Sequence, residues 1–165
     1  RDAIDTIHSV GGLTHAHIRS NIACGLYFFM VKAILIGDSS LRERMQDGLT
    51  EGFAFYESYL ADKENLHYYD RMRDLDDFKS LPADKIRSTG YVVDALEAAV
   101  WSLITTDSFD QALLKAVNLG DDTDTVGAIA GGLAGLYYGY DSIPEEWLSA
   151  IKRREWIEDM CRIKE

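Results

Sequence analysis

Three carboxylates and two hydroxyls stand within five residues at Asp121-Asp122-Thr123-Asp124-Thr125, directly after Gly120. Carboxylate and threonine oxygens are hard donors that suit Mg²⁺, Mn²⁺ or Ca²⁺ and do not suit zinc. A run of small residues follows at once, Val126-Gly127-Ala128-Ile129-Ala130-Gly131-Gly132-Leu133-Ala134-Gly135, with helical spacing. The acids then stand at the start of that helix, where the macrodipole favours anions. The pattern predicts a divalent-cation site at a helix N-terminus, serving a phosphate-bearing ligand. A plainer explanation competes with it, because Asp and Thr are ordinary N-caps and acids are common in a first turn. An EF-hand is excluded, since the twelfth position counted from Asp122 is Leu133 and not Glu.

These residues need elements to hold them. Asp2 to Val10 reads as a short helix stopped by Gly11-Gly12. Thr14 is the expected N-cap of a long, mostly buried helix through Ile18, Ile22, Leu26, Phe29, Val31, Ile34 and Leu35. After a turn at Gly37-Asp38-Ser39-Ser40, Leu41, Met45, Leu49, Phe53, Tyr56 and Leu60 mark another amphipathic helix. From Ala61 to Ser88 the pattern weakens and Pro82 interrupts, which predicts short helices and surface loop. Asp74-Leu75-Asp76-Asp77 is acidic, but no first-turn hydroxyl and no small-residue helix follow it, so a solvated face is expected. Gly90 opens a helix through Val93, Leu96, Ala99, Val100, Trp101 and Leu103. Ser108-Phe109-Asp110-Gln111 has the form of a capping box, with its helix running to Asn118.

The small-residue helix comes next. Gly127, Gly131 and Gly135 recur every four residues on one face. A helical glycine costs roughly 1 kcal/mol against alanine, so three in a row need a reason. Close approach of a helix or of a bound ligand would supply one, and added bulk would then be harmful. Ile143-Pro144-Glu145-Glu146 starts a helix that buries Trp147, Leu148 and Ile151. A last amphipathic helix carries Trp156, Ile157, Met160 and Ile163. No strand pattern is visible, so the expected fold is all-α, a compact orthogonal multi-helix bundle formed by residues 1–165 as a single domain.

The totals set bounds. The chain has 165 residues, enough for one core, and 28 acidic residues against 17 basic give a net charge of −11. Nucleic acid and anionic membranes are therefore excluded as expected partners. The longest charge-free apolar stretch, 126–140, is shorter than the roughly 20 residues a membrane helix needs. Cys24 and Cys161 have no ligand spacing, which points to a reduced, cytoplasmic setting.

Three ordered stretches together resemble the ADP-ribosylglycohydrolase family. They are Leu13-Thr14-His15, Gly90 to Trp101, and Gly120 to Gly135. The resemblance implies a metal-dependent hydrolase that cleaves the glycosidic bond between ADP-ribose and an acceptor, with two Mg²⁺ or Mn²⁺ ions. It implies Asp122, Asp124 and Thr125 as metal ligands. His15 matches the substrate-contacting histidine, and His17 is followed by Ile18 where many relatives have proline. Gly90 and Tyr91 are expected to border the ADP-ribose cleft, Gly90 by admitting close backbone approach and Tyr91 by stacking; Tyr91 as a core aromatic is the competing reading. Gly120 and Asp121 join the substrate-binding set, with Asp121 behind the metal ligands or facing solvent. Family members also carry a front half with a Gly-Asp motif, a catalytic glutamate and a second acidic cluster, none of which precedes His15. On that basis the resemblance marks the C-terminal half only, with the catalytic residues in a missing N-terminal half. The other reading is a non-catalytic structural or ligand-binding protein on the same fold.

Overall fold

The structure, a computed structural model, describes residues 2–162. Its helices are α1 (Asp2–Gly11), α2 (Ile18–Ile36), α3 (Leu41–Tyr59), α4 (Leu75–Lys79), α5 (Val92–Ile104), α6 (Phe109–Asn118), α7 (Thr123–Tyr138), α8 (Glu145–Ala150) and α9 (Arg154–Cys161). Short 3₁₀ turns at His67–Met72, Ala83–Lys85 and Tyr140–Ser142 join them, and the described residues contain no strand. The all-α expectation holds.

α2 is the centre of the bundle and packs on α1, α3, α5 and α7. Ile22, Leu26, Met30 and Ile34 recur every four residues and are all buried. Truncating one of them to Ala costs about 2–5 kcal/mol. By length and composition α2 could cross a membrane, a feature the charge-free stretch at 126–140 does not reveal; its neighbours here are those of a core helix. α3 approaches so closely that a Cβ at Gly48 would lie 2.6 Å from the Phe29 carbonyl. Its start is fixed by a full capping box between Ser40 and Glu43.

Several expected details change. The N-cap of α2 is His17, whose Nδ1 accepts from the Arg19 amide at 3.2 Å. The Thr14 hydroxyl instead donates back to Gly11. Ile18 is thus the first helical residue, the position that tolerates proline best. Leu35 is exposed rather than buried. Ser108 caps α6 through the Gln111 amide, but its hydroxyl donates to Asp110, so the reciprocal half of the box is missing. α9 turns Trp156 (59 % exposed) and Met160 (67 %) to solvent instead of burying them, and Ile151 is exposed too. Ile163 lies outside the described residues.

The glycine stripe of α7 faces α6. A Cβ at Gly127 would lie 3.2 Å from Val117, at Gly131 3.6 Å from Leu113 and at Gly135 4.0 Å from Phe109. Three residues of α6, spaced every four, meet three glycines of α7 spaced every four: this is ridge-into-groove packing and no ligand surface. Only at Gly127 is the fit tight, so the expectation that bulk harms all three fails at Gly131 and Gly135.

Candidate functional site

α6 and α7 are joined by two consecutive left-handed residues, Gly120 (φ +85°) and Asp121 (φ +59°). Glycine adopts this region freely, and aspartate is among the few side chains that tolerate it. The double reversal delivers Asp122 to the N-cap position of α7. Asp122 does not cap, because its side chain accepts nothing from the first turn. Among the described residues no hydrogen bond or ion pair engages the side chains of Asp122, Asp124 or Thr125. The ordinary explanation of the cluster, a satisfied cap, therefore does not describe it.

Gly90 stands directly against this carboxylate. A Cβ there would lie 2.9 Å from Asp122 Oδ2, closer than real Cβ contacts come. The bare face of Gly90 leaves room for the Asp122 carboxylate, a neighbour the sequence did not point to.

A cleft of about 790 Å³ opens beside the loop, between α1, α2, α5 and α7. His15, Gly90 and Thr125 all line it, brought together from three distant stretches of chain. Its apolar wall includes Tyr27, Phe28 and Ile129. Most of the lining is apolar, with polar groups from Thr14, His15, Ser20 and Thr125. A ligand with a flat apolar part and a polar part matches such a surface. Cys24 and Tyr27 also line the cleft, and burial pushes the thiol and the phenol up, so both stay neutral near pH 7.

The remaining predicted residues fall at the margin. His15 is exposed in the α1–α2 loop, and its ring makes no hydrogen bond among the described residues. Tyr91 is 37 % exposed and is no core aromatic. It stands at the N-cap of α5, and its hydroxyl accepts from Arg19 at 3.1 Å. Arg19 in turn lies 3.8 Å over the Tyr68 ring. Gly120 and the exposed Asp121 do not line the cleft, nor do Asp122 and Asp124, which lie just beyond Gly90 and Thr125.

The donor chemistry suits Mg²⁺ or Mn²⁺, since two uncommitted carboxylates and a hydroxyl are all hard oxygens. The set is incomplete: among the described residues no three His, Cys, Asp or Glu side chains converge as a metal-holding group. Two carboxylates and one hydroxyl would supply at most part of an octahedral oxygen shell, of which Mg²⁺ commonly keeps the rest as water.

Tyr27 and Gly132 were not singled out from the sequence. A Cβ at Gly132 would overlap the Tyr27 hydroxyl. The signal was present, because Gly132 falls off the four-residue stripe and so needs a reason of its own.

The ADP-ribosylglycohydrolase family model matches residues 1–165. The chain belongs to the ADP-ribosylglycohydrolase family. The restriction of the resemblance to a C-terminal half is overturned by this match, which takes in the whole chain. The chain is 48 % identical over 85 residues to the ADP-ribosylarginine hydrolase Tri1 of Serratia proteamaculans, which is 52 % of this chain and 23 % of that protein. It is 45 % identical over 67 residues to the ADP-ribosyl-[dinitrogen reductase] glycohydrolase of Rhodospirillum rubrum, covering 41 % and 23 %. A solved ADP-ribosylglycohydrolase-related protein complex superposes with a TM-score of 0.73 at 28 % identity, over 96 % of this chain and 51 % of that one. The chain thus spans about half of the solved relative, and its alignments to these two curated relatives cover about a quarter of their length.

Proposed function

We propose that the protein is a metal-dependent hydrolase of ADP-ribose conjugates, with arginine-linked ADP-ribose as the first substrate to test. The observation that carries this reading is Asp122: an N-cap carboxylate that leaves its helix uncapped and faces Gly90, which lines a cleft together with Thr125 and His15. Family membership supports the reaction class, and the similarity to an ADP-ribosylarginine hydrolase supports the choice of acceptor.

Asp122, Asp124 and Thr125 would hold Mg²⁺ or Mn²⁺. When bound, the ion supplies Lewis acidity and a template for ribose hydroxyls. The rest falls to the chain itself. The apolar wall of Tyr27, Phe28 and Ile129 takes the flat base and excludes water. His15, on the cleft lining, donates to ribose or phosphate oxygens, and Tyr91, held by Arg19, stands between Gly90 and Val92 of that lining without joining it. In the reaction water attacks the anomeric carbon, the bond to the acceptor breaks, and the acceptor leaves with a proton. Positive charge develops at that carbon, and the carboxylates of Asp122 and Asp124 stabilise it electrostatically.

A second reading, a ligand-binding protein on the same fold, is compatible with the described residues, in which no three His, Cys, Asp or Glu side chains form a metal-holding group. Release of ADP-ribose from ADP-ribosylarginine, measured with Mn²⁺ and with chelator, separates the two. Metal-dependent release that falls away in Asp122→Asn supports the hydrolase. Tight ADP-ribose binding without release supports the binding protein.

A further inference from the structure

We infer that Ser88 is the positioning residue of the acidic loop, a role that rests on the metal-site reading above. Ser88 is 4 % exposed and lies 32 residues before Gly120. Its hydroxyl donates to the Gly120 carbonyl at 3.0 Å. Its own carbonyl accepts from the Asp122 amide, also at 3.0 Å. The two bonds grip the chain on both sides of Asp121, one of two non-glycine residues with positive φ among those described. Such a conformation persists only where its surroundings over-determine it. The Ser88 bracket supplies that constraint from outside the loop.

The bracket is itself anchored in the core. The Thr89 hydroxyl donates to Asp94 at 2.7 Å and accepts from the Tyr91 amide at 3.1 Å. Arg87 lies 3.3 Å from the same Asp94 oxygen. Asp94 is on the buried α5, so the geometry of the loop is referred back to a packed helix. Gly90, two residues beyond Ser88, lies against the Asp122 carboxylate, so a shift at Ser88 displaces both partners together. Ser88 acts through Asp122 and the start of α7, without touching ligand.

The test compares Ser88→Ala, Asp121→Gly and the double variant. Two quantities are read: calorimetric titration with Mn²⁺ alone, and amide hydrogen exchange at Asp122. Ser88→Ala is expected to weaken Mn²⁺ binding about tenfold and to speed exchange at Asp122 about tenfold. In the D121G background the same change is expected to cost less than about threefold, because glycine holds the left-handed conformation unaided. Equal losses in both backgrounds, or none in either, overturn the proposal; a purely structural role of Ser88 would give equal losses. If the wild type takes up no Mn²⁺, the metal reading fails, and exchange at Asp122 still decides the role of Ser88. Should Ser88→Ala not fold, Ser88→Cys, a weaker donor of similar shape, is read in the same way.

Discussion

Two helices, α4 and α7, start on an aspartate at the N-cap with further acids behind it, and they are built for opposite ends. At α4, Asp74 accepts from the Asp76 and Asp77 amides at 2.9 and 3.1 Å, and Asp76 pairs with Arg42 at 2.9 Å. Its charge is consumed by the fold. At α7, Asp122 takes the same N-cap position and accepts nothing, and Asp124 and Thr125 are equally uncommitted among the described residues. Similar composition therefore says little. The backbone makes the difference: Asp74 has the extended conformation of a capping residue (φ −126°, ψ 107°), whereas Asp122 (φ −88°, ψ 66°) follows two left-handed residues that turn its carboxylate toward Gly90.

The most severe test removes the charge from the α7 start. Asp122→Asn with Asp124→Asn is expected to lower hydrolysis by at least about 100-fold, the scale of lost metal or electrostatic stabilisation. The melting temperature should stay within about 2 °C of wild type, because these side chains hold nothing in the fold. Steady-state kinetics and thermal melts on the same variant check this. A collapse of the melt with activity retained would make α7 a second α4.

A third kind of acid sharpens the contrast by being neither capped nor exposed. Glu97 is 4 % exposed on α5, and burial pushes its carboxyl up to about 7, against the pull of Arg71 at 2.7 Å and with a push from Asp94. One of its oxygens, Oε1, has no hydrogen-bond partner among the described residues. The folded value lies above the ordinary 4.5. Stability from this group is thus fully present below about pH 4.5 and lost as pH rises to about 7, at up to roughly 1.4 kcal/mol per unit. Denaturant titrations from pH 4 to 8 should show Glu97→Gln gaining on wild type across that window, by up to about 3 kcal/mol, and levelling off above it. A gap that does not change with pH would mean that Glu97 is ionised in the fold throughout.

Asp74→Ala should cost about 1 kcal/mol of stability, the value of a lost N-cap, and change hydrolysis less than about twofold. Urea unfolding with the assay run in parallel reads both. A large loss of activity would bring α4 into the site and break the comparison from its other side.

Much of this was legible in the sequence because it depends on local pattern. Apolar spacing located the principal helices, and the order of small and acidic residues located the start of α7. The convergence of His15, Gly90 and Thr125 on one cleft followed from family resemblance and not from spacing, since no local rule brings residues so far apart together. Other features depended on which neighbour a residue meets. His17 displaced Thr14 as cap because its ring reaches the Arg19 amide. Gly90 answers to Asp122, 32 positions away, and nothing near it in the chain announces that. α9 has the amphipathic pattern of a packed helix and none of its residues is buried in this chain.

The mildest prediction concerns the glycines themselves. Gly131 meets Leu113 at 3.6 Å, an ordinary contact, and its backbone is helical. Alanine there should recover most of the helix-propensity cost, up to about 1 kcal/mol, with no change in activity. Gly132 is its neighbour in the chain and faces another way, where a Cβ would overlap the Tyr27 hydroxyl at the cleft wall. Gly132→Ala must displace Tyr27, so it should weaken ligand binding several-fold even where the melt hardly moves. Chemical denaturation and ADP-ribose titration of the two variants together decide the matter. If Gly131→Ala is the one that loses binding, the α7 stripe facing α6 is a ligand surface after all. The opposite result divides α7 by face: one side packs the bundle, and the other shapes the cleft next to the uncommitted acids.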